Sequence, residues 1–164
     1  MTDTYHRKAS VEAILATVGQ EVGLSRWFEI AQARVDQFAD VTEDWFFIHT
    51  DPERAAAETP WGGTIAHGFL TLSLLSAMAY DAIPGVEGAS RGVNYGFDKM
   101  RFVAPVPVGA RVRGRFVLAE AITDKPGEVT FKHAVTIEIE GQEIAQGGRP
   151  AIAAEWLTRE FFDD

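Results

Sequence analysis

The sequence predicts an α+β fold, on three observations. The first half of the chain reads as short helices. A longer stretch, "HGFLTLSLLSAMAYDAI" from His67 to Ile83, is apolar nearly all round and reads as a buried helix. The second half then alternates apolar with polar residues, is rich in β-branched ones and is broken by turn signals, the pattern of antiparallel strands. A sheet wrapped around a buried helix satisfies all three.

Each element has its own local cause. Ser10 is placed to cap "VEAILATVG", with Gly19 as the stop. "AQARVDQFADVT" puts Val35, Phe38, Ala39 and Thr42 on one side, a weak helical stripe. Asp51 and Pro52 form a cap and first-turn proline opening "PERAAAE". Pro60-Trp61-Gly62-Gly63 is a loop. Pro84 and Gly85 end the buried helix. "SRGVNYGFDKMRFVAPVPVG" is a strand ended by two prolines. "RVRGRFVLAEAI", "EVTFKHAVTIEIEG" and "QEIAQGGRPAIAAEWL" are further strands, with turns at Lys125-Pro126-Gly127 and Glu140-Gly141. Edge strands of such a sheet favour a homodimer by sheet pairing.

The 164 residues suit one domain with a sizeable core. There is no cysteine, which removes disulfides, thiol nucleophiles and cysteine metal sites, and fits a reducing cytoplasm. The first residues hold no apolar run long enough for a signal peptide, and none of the ~18 residues a membrane span needs occurs anywhere. A net charge of −9 argues against nucleic acid and anionic membranes as partners. Arg111, Arg113 and Arg115 alternate on one strand face, as do Lys99 and Arg101 on the preceding strand. They read either as a solvated face or as a seat for phosphates.

Two stretches carry candidate chemistry. "TEDWFFIH" sets Asp44 and His49 five residues apart with Trp45, Phe46, Phe47 and Ile48 between them. A carboxylate and a neutral imidazole can jointly hold one water, and apolar neighbours shift both groups toward acid–base work near neutral pH. The plainer reading makes Asp44 a helix end and His49 a satisfied half-buried side chain. "GGTIAHGFLTLSLLS" places Gly68 at the first turn of the buried helix, where backbone N–H groups lack partners and can stabilise a developing negative charge. There the plainer reading has Gly68 allowing close packing and His67 capping the helix or packing in the core. His6, His49, His67 and His133 are scattered without ligand spacing, so no metal site is expected.

Together, "FADVTEDWFFIHTDPERAAAETPWGGTIAHGFLTLSLLSAM" resembles the MaoC-like dehydratases, or (R)-specific enoyl-CoA hydratases, in the stand-alone branch related to the nodulation protein N group. The similarity continues through "VNYGFDKMRFVAPVPVGARVRGR" and so covers roughly residues 10 to 116. The resemblance implies a single hot-dog domain over residues 1–164, a curved antiparallel sheet around a long central helix, with 1–25 as a helical N-terminal extension. It implies a homodimer and an acyl thioester substrate, carried on coenzyme A or on a carrier protein, with no cofactor. It implies that Asp44 and His49 hold the catalytic water, that the Gly68 N–H is the oxyanion donor, and that Ser76 supports the site. A helical serine bonding its own backbone is the competing reading for Ser76. His67 accompanies Gly68 in the same motif.

The chain departs from the family at two positions. Phe46 stands where an amide is usual, and Glu43 where glycine is frequent. Phe47 and Ile48 are expected to pack the loop down. Trp45 and Phe46 are read as core, as lining of an acyl pocket, or as a dimer contact. The implied reaction is hydration of a trans-2-enoyl thioester, or its reverse. The alternatives are a hot-dog thioesterase and a non-catalytic acyl-thioester-binding dimer. A thioesterase would want a carboxylate on the central helix, and none occurs there before Asp81.

Overall fold

The computed structural model describes residues 7–163. In chain order the elements are β1 (Lys8–Ala9), α1 (Val11–Leu15), β2 (Glu21–Leu24), β3 (Phe28–Glu29), α2 (Gln32–Thr42), α3 (Phe47–Thr50), α4 (Pro52–Glu58), α5 (Gly68–Ser73), α6 (Leu75–Ala82), β4 (Gly85–Val86), β5 (Arg91–Phe102), β6 (Arg111–Ile122), β7 (Glu128–Ile139) and β8 (Ile152–Phe161). The main sheet runs β2-β6-β7-β8-β5, and β3 also pairs with β6. All its pairings are antiparallel. β1 and β4 form a small parallel pair apart from it.

The helices α5 and α6 lie against this sheet. Met78, Leu75 and Ala79 pack with Phe116, Val112, Ile137, Ile139 and Ile152 in one buried cluster. A Cβ built at Gly114 would sit 2.8 Å from the Phe116 ring and 3.1 Å from the Met78 Cβ, so a bare backbone at that point of β6 lets the helix approach. Buried positions alternate along β6, as its sequence predicts.

Local signals act as expected at several places. The Ser10 hydroxyl accepts from Ala13 N at 3.2 Å, and Asp51 caps α4 by accepting from Arg54 N at 3.0 Å. Pro52 is in the first turn of α4. β5 stops at Phe102, ahead of Pro105 and Pro107.

Four expectations need correction. The 1–25 extension is not uniformly helical: within its described residues α1 ends at Leu15, and β1 and β2 are extended, because β2 finds hydrogen-bond partners on β6. The central helix is not one unbroken rod. It divides at Leu74 into α5 and α6. Nor is it buried all round, since Phe69 is 65% exposed and Tyr80 37%. Residues 142–151 are not strand: a 3-10 turn spans Ile144–Gln146, and β8 starts only at Ile152 and runs on to Phe161.

The arginines of β6 are not a free cationic seat. Arg113 and Arg115 both bind Glu138, which is fully buried, at 2.8 and 3.0 Å. Arg115 also pairs with Glu21, and Arg111 with Glu140. Lys99 pairs with Glu155 at 3.1 Å, and Asp98 finds a partner in Lys132 at 2.7 Å. Alternation put the cations on one face, and acids on neighbouring strands neutralise them there.

Candidate active site

The corner after α2 presents Asp44. Glu43 ends the helix in the left-handed conformation, at φ 60° and ψ 27°. A side chain there costs roughly 1–2 kcal/mol, which gives glycine at this position a physical reason. Asp44 is exposed, and its Oδ1 accepts from Phe46 N at 3.4 Å. The next turn, α3, carries His49 inward until only 9% of it is exposed. Ile65 N in turn donates to Ile48 O, tying α3 to the approach of α5.

Two ring hydrogen bonds set the histidine tautomers. His49 Nδ1 lies 2.7 Å from Ile65 O. A carbonyl only accepts, so Nδ1 carries the proton and Nε2 keeps its lone pair. His67 Nε2 lies 2.9 Å from Asp44 O and donates to it by the same argument. Its Nδ1 is buried, and no partner reaches it among the described residues. The rings stack with centroids 3.8 Å apart and planes 27° apart. Burial is the main cause that lowers the His49 pKa. The Ile65 hydrogen bond opposes it, the neighbouring His67 adds to it and Asp44 opposes it. His49 is therefore neutral at pH 7.

An Asp44 carboxylate oxygen and one ring nitrogen from each of His49 and His67 all lie within 4.8 Å of one another. The sequence expectation of scattered histidines fails here, because the fold brings together residues that sequence separates. The distances admit a metal ion. Against one, His49 Nδ1 and His67 Nε2 are already committed to carbonyls. A water fits better: two hydrogen bonds of ~2.7–3.2 Å span such a separation through one molecule.

A cavity of about 390 Å³ opens beside this group, lined by His49, Gly68, Phe69 and Phe102 among others. Gly68 is the first residue of α5, and its N–H makes no hydrogen bond among the described residues. A Cβ at Gly68 would lie 2.8 Å from the Phe102 ring. Asp44 stands next to the cavity group without lining the cavity itself.

The remaining predicted residues divide. His67 occupies the N-cap position of α5, but its ring makes no capping bond; it is buried and donates to Asp44 O. Ser76 does not bond its own backbone. It accepts from Asn94 Nδ2 at 3.2 Å, while Ser73 is the serine that back-bonds, to Leu70 O at 2.7 Å. Phe47 and Ile48 are half-buried, as expected. Trp45 and Phe46 are 56% and 57% exposed, so the core reading fails for both, and neither lines the cavity. Trp45 Nε1 donates to Asp40 at 3.0 Å, and Phe46 meets Phe47 edge-on.

One residue was missed. Gln32 donates to His49 O at 2.8 Å and accepts from the Thr64 hydroxyl at 2.6 Å. It thus joins α2, α3 and the strand-like approach to α5, a positioning task that Phe46 cannot perform. Its signal was present: Gln32 continues the stripe of Val35 and Ala39, a polar residue in an apolar register.

Residues 13–140 match the family described as MaoC like domain. The chain belongs to the MaoC-like dehydratase family. It is 48% identical to nodulation protein N of Rhizobium leguminosarum over 94% of this chain and 92% of that protein. It is 44% identical to 3-hydroxyacyl-thioester dehydratase Z of Mycobacterium tuberculosis, over 92% and 95%. The crystal structure of an (R)-hydratase from Aeromonas caviae superposes with a TM-score of 0.64 at 28% identity, covering 86% of this chain and 94% of that one. The MaoC-like neighbours carry the hot-dog fold expected from the sequence.

Proposed function

We propose that this chain adds water to trans-2-enoyl thioesters, with (R) configuration at C3, and catalyses the reverse dehydration. One observation carries the reading: the neutral His49 and the unpartnered Gly68 N–H share one cavity, with the Asp44 carboxylate close by. In this reading the thioester oxygen lies against the Gly68 N–H, which stabilises enolate character as it develops. Such a donor commonly contributes ~3 kcal/mol. Asp44 and His49 hold the water, direct its oxygen to C3 and shuttle the proton to C2. A positioned acid–base group contributes ~10²–10⁴ in rate. Ile65 O, Gln32 and the stacked His67 keep the His49 ring in place. The likeness to the named dehydratase and hydratase supports this chemistry.

The working unit in this reading is a homodimer. β5 is the last strand of the main sheet, and Val93, Tyr95, Phe97 and Phe102 on it are all at least 39% exposed. A second copy that continues the sheet along β5 would cover apolar side chains on both of its faces. The thioesterase reading is disfavoured, because Asp81 lies at the far end of α6 and is engaged by Arg26 N at 2.6 Å.

The test is loss of enoyl absorbance with crotonyl-coenzyme A and longer enoyl thioesters, with Asp44→Asn in parallel. Turnover that falls ~10²-fold or more in the variant is expected. Equal rates in the two proteins would remove Asp44 from the mechanism.

A further inference from the structure

A second cavity, of about 320 Å³, lies at the other end of the central helices. It opens to the surface and is lined by Arg7 to Ala9, α1, Glu21 and Val22 of β2, Ile83 and Pro84 after α6, Val86 of β4, and the inner face of β6, β7 and β8. No residue lines both cavities. Between them run α5 and α6, about 20 Å at 1.5 Å per residue.

Its walls are mostly apolar, with Leu118, Phe131, Trp156, Ile14 and Val22 among them. Two titratable groups are set into them. The His133 ring is 5% exposed and makes no hydrogen bond among the described residues; its Nδ1 is fully enclosed, which leaves Nε2 as the nitrogen that a ligand in the cavity can meet. The Glu160 carboxyl is half-buried, and no hydrogen bond or ion pair is among the causes that shift it. Neither lines the cavity of the candidate active site. Burial holds His133 down at about 4, so it is neutral at pH 7, and pushes Glu160 up to about 7. A buried polar group without a partner costs free energy, and a ligand that supplies the partner recovers it.

The lining selects the ligand. A carboxylate would face Glu160 and an uncharged imidazole. An ammonium group would meet Arg7 and Lys8 as well as Glu21 and Glu160, all of which line the cavity, so neither sign of charge finds a lining of opposite sign alone. A hydroxyl group can donate to the imidazole lone pair and exchange hydrogen bonds with a carboxyl in either protonation state. The volume is about twice the ~150 Å³ that accommodates benzene. We propose that this cavity is a second, non-catalytic binding site for a neutral apolar alcohol of about ten non-hydrogen atoms, its hydroxyl bonded to His133 and its chain against Leu118, Phe131 and Trp156.

Calorimetric titration at pH 7.5 with 1-octanol, octanoate and octylammonium tests this on the full chain. Octanol should bind saturably, one per chain, and raise the Tm. The two charged analogues should bind at least tenfold more weakly. His133→Phe should weaken octanol at least tenfold, and Leu118→Trp, which fills the space, should abolish binding. In unaltered protein with ¹⁵N-labelled histidine, octanol should shift the His133 ring nitrogens, a readout that needs no variant. The proposal is overturned by octanoate binding as tightly as octanol, by an absence of saturable binding, or by unmoved His133 signals. It is also overturned if octanol competes with crotonyl-coenzyme A in turnover, which would assign the cavity to the reacting acyl chain.

Discussion

Gly68→Ala separates a steric role for the glycine from a chemical one. The new methyl would lie 2.8 Å from two atoms of the Phe102 ring, well inside ordinary contact near 3.4–4 Å. Something must shift by several tenths of an ångström. Phe102 can yield, being 45% exposed and held only edge-on by Phe69, at 5.3 Å between centroids. Moving it costs on the order of 1 kcal/mol, at the low end for an overpacked site. The better helix propensity of alanine offsets part of this. The Tm should therefore fall by no more than about 3 °C. Turnover should fall far more, because the methyl and the displaced ring crowd the approach to the Gly68 N–H. Losing one oxyanion donor costs ~10²–10³ in kcat. The assay is enoyl-thioester hydration beside a thermal melt of the same preparation. A folded variant with kcat within threefold of the parent would refute the assignment of this N–H.

Three further outcomes follow from the geometry. Gln32→Leu removes the bonds to His49 O and Thr64 and should cost about 2 kcal/mol in denaturant unfolding, at ~1 kcal/mol per bond; kcat should drop about tenfold with KM little changed, and a variant that keeps its kcat would show that Ile65 alone orients the ring. His49 has a lowered pKa, so the acid limb of kcat/KM should fall below its ordinary value of 6.5, and a limb above 6.5 would contradict the neutral, buried imidazole. His133 falls from 6.5 to about 4 on folding, so the unfolded chain binds the extra proton between those values, and stability rises with pH across them. Some two and a half pH units at 1.36 kcal/mol each make about 3 kcal/mol, complete above pH 6.5 and lost as pH falls toward 4. Glu160, raised from 4.5 to about 7, acts oppositely, favouring the fold at low pH and losing that contribution as pH rises. Comparing the parent with His133→Phe at each pH isolates the histidine; parallel pH curves would refute its burial.

Much of the fold was legible because its signals are local. Alternation gave β6 and β7 their bounds, Ser10 and Asp51 act as caps, and Pro105 lies beyond the end of β5. What failed depends on distant partners. β2 is extended because β6 supplies its hydrogen bonds, and β8 runs past Leu157 because β7 and β5 flank it on both sides. The exposed side of α5 and α6 could not be told from a buried one, since Phe69 is apolar either way. At the candidate site, the family resemblance singled out Asp44, His49 and Gly68, and the fold brings these three together beside one cavity. The stacking of His67 on His49, and the backbone carbonyls that fix both rings, arise between segments far apart in sequence. Gln32 was readable as a polar residue in an apolar stripe, but its partners were not.

Crotonyl-coenzyme A turned over in H₂¹⁸O and resolved by mass and chirality tests the central claim most directly. The account predicts an intact thioester that gains one water, with ¹⁸O at C3 and (R) configuration. Free coenzyme A with ¹⁸O in a released carboxylate, or an (S) product, would contradict it.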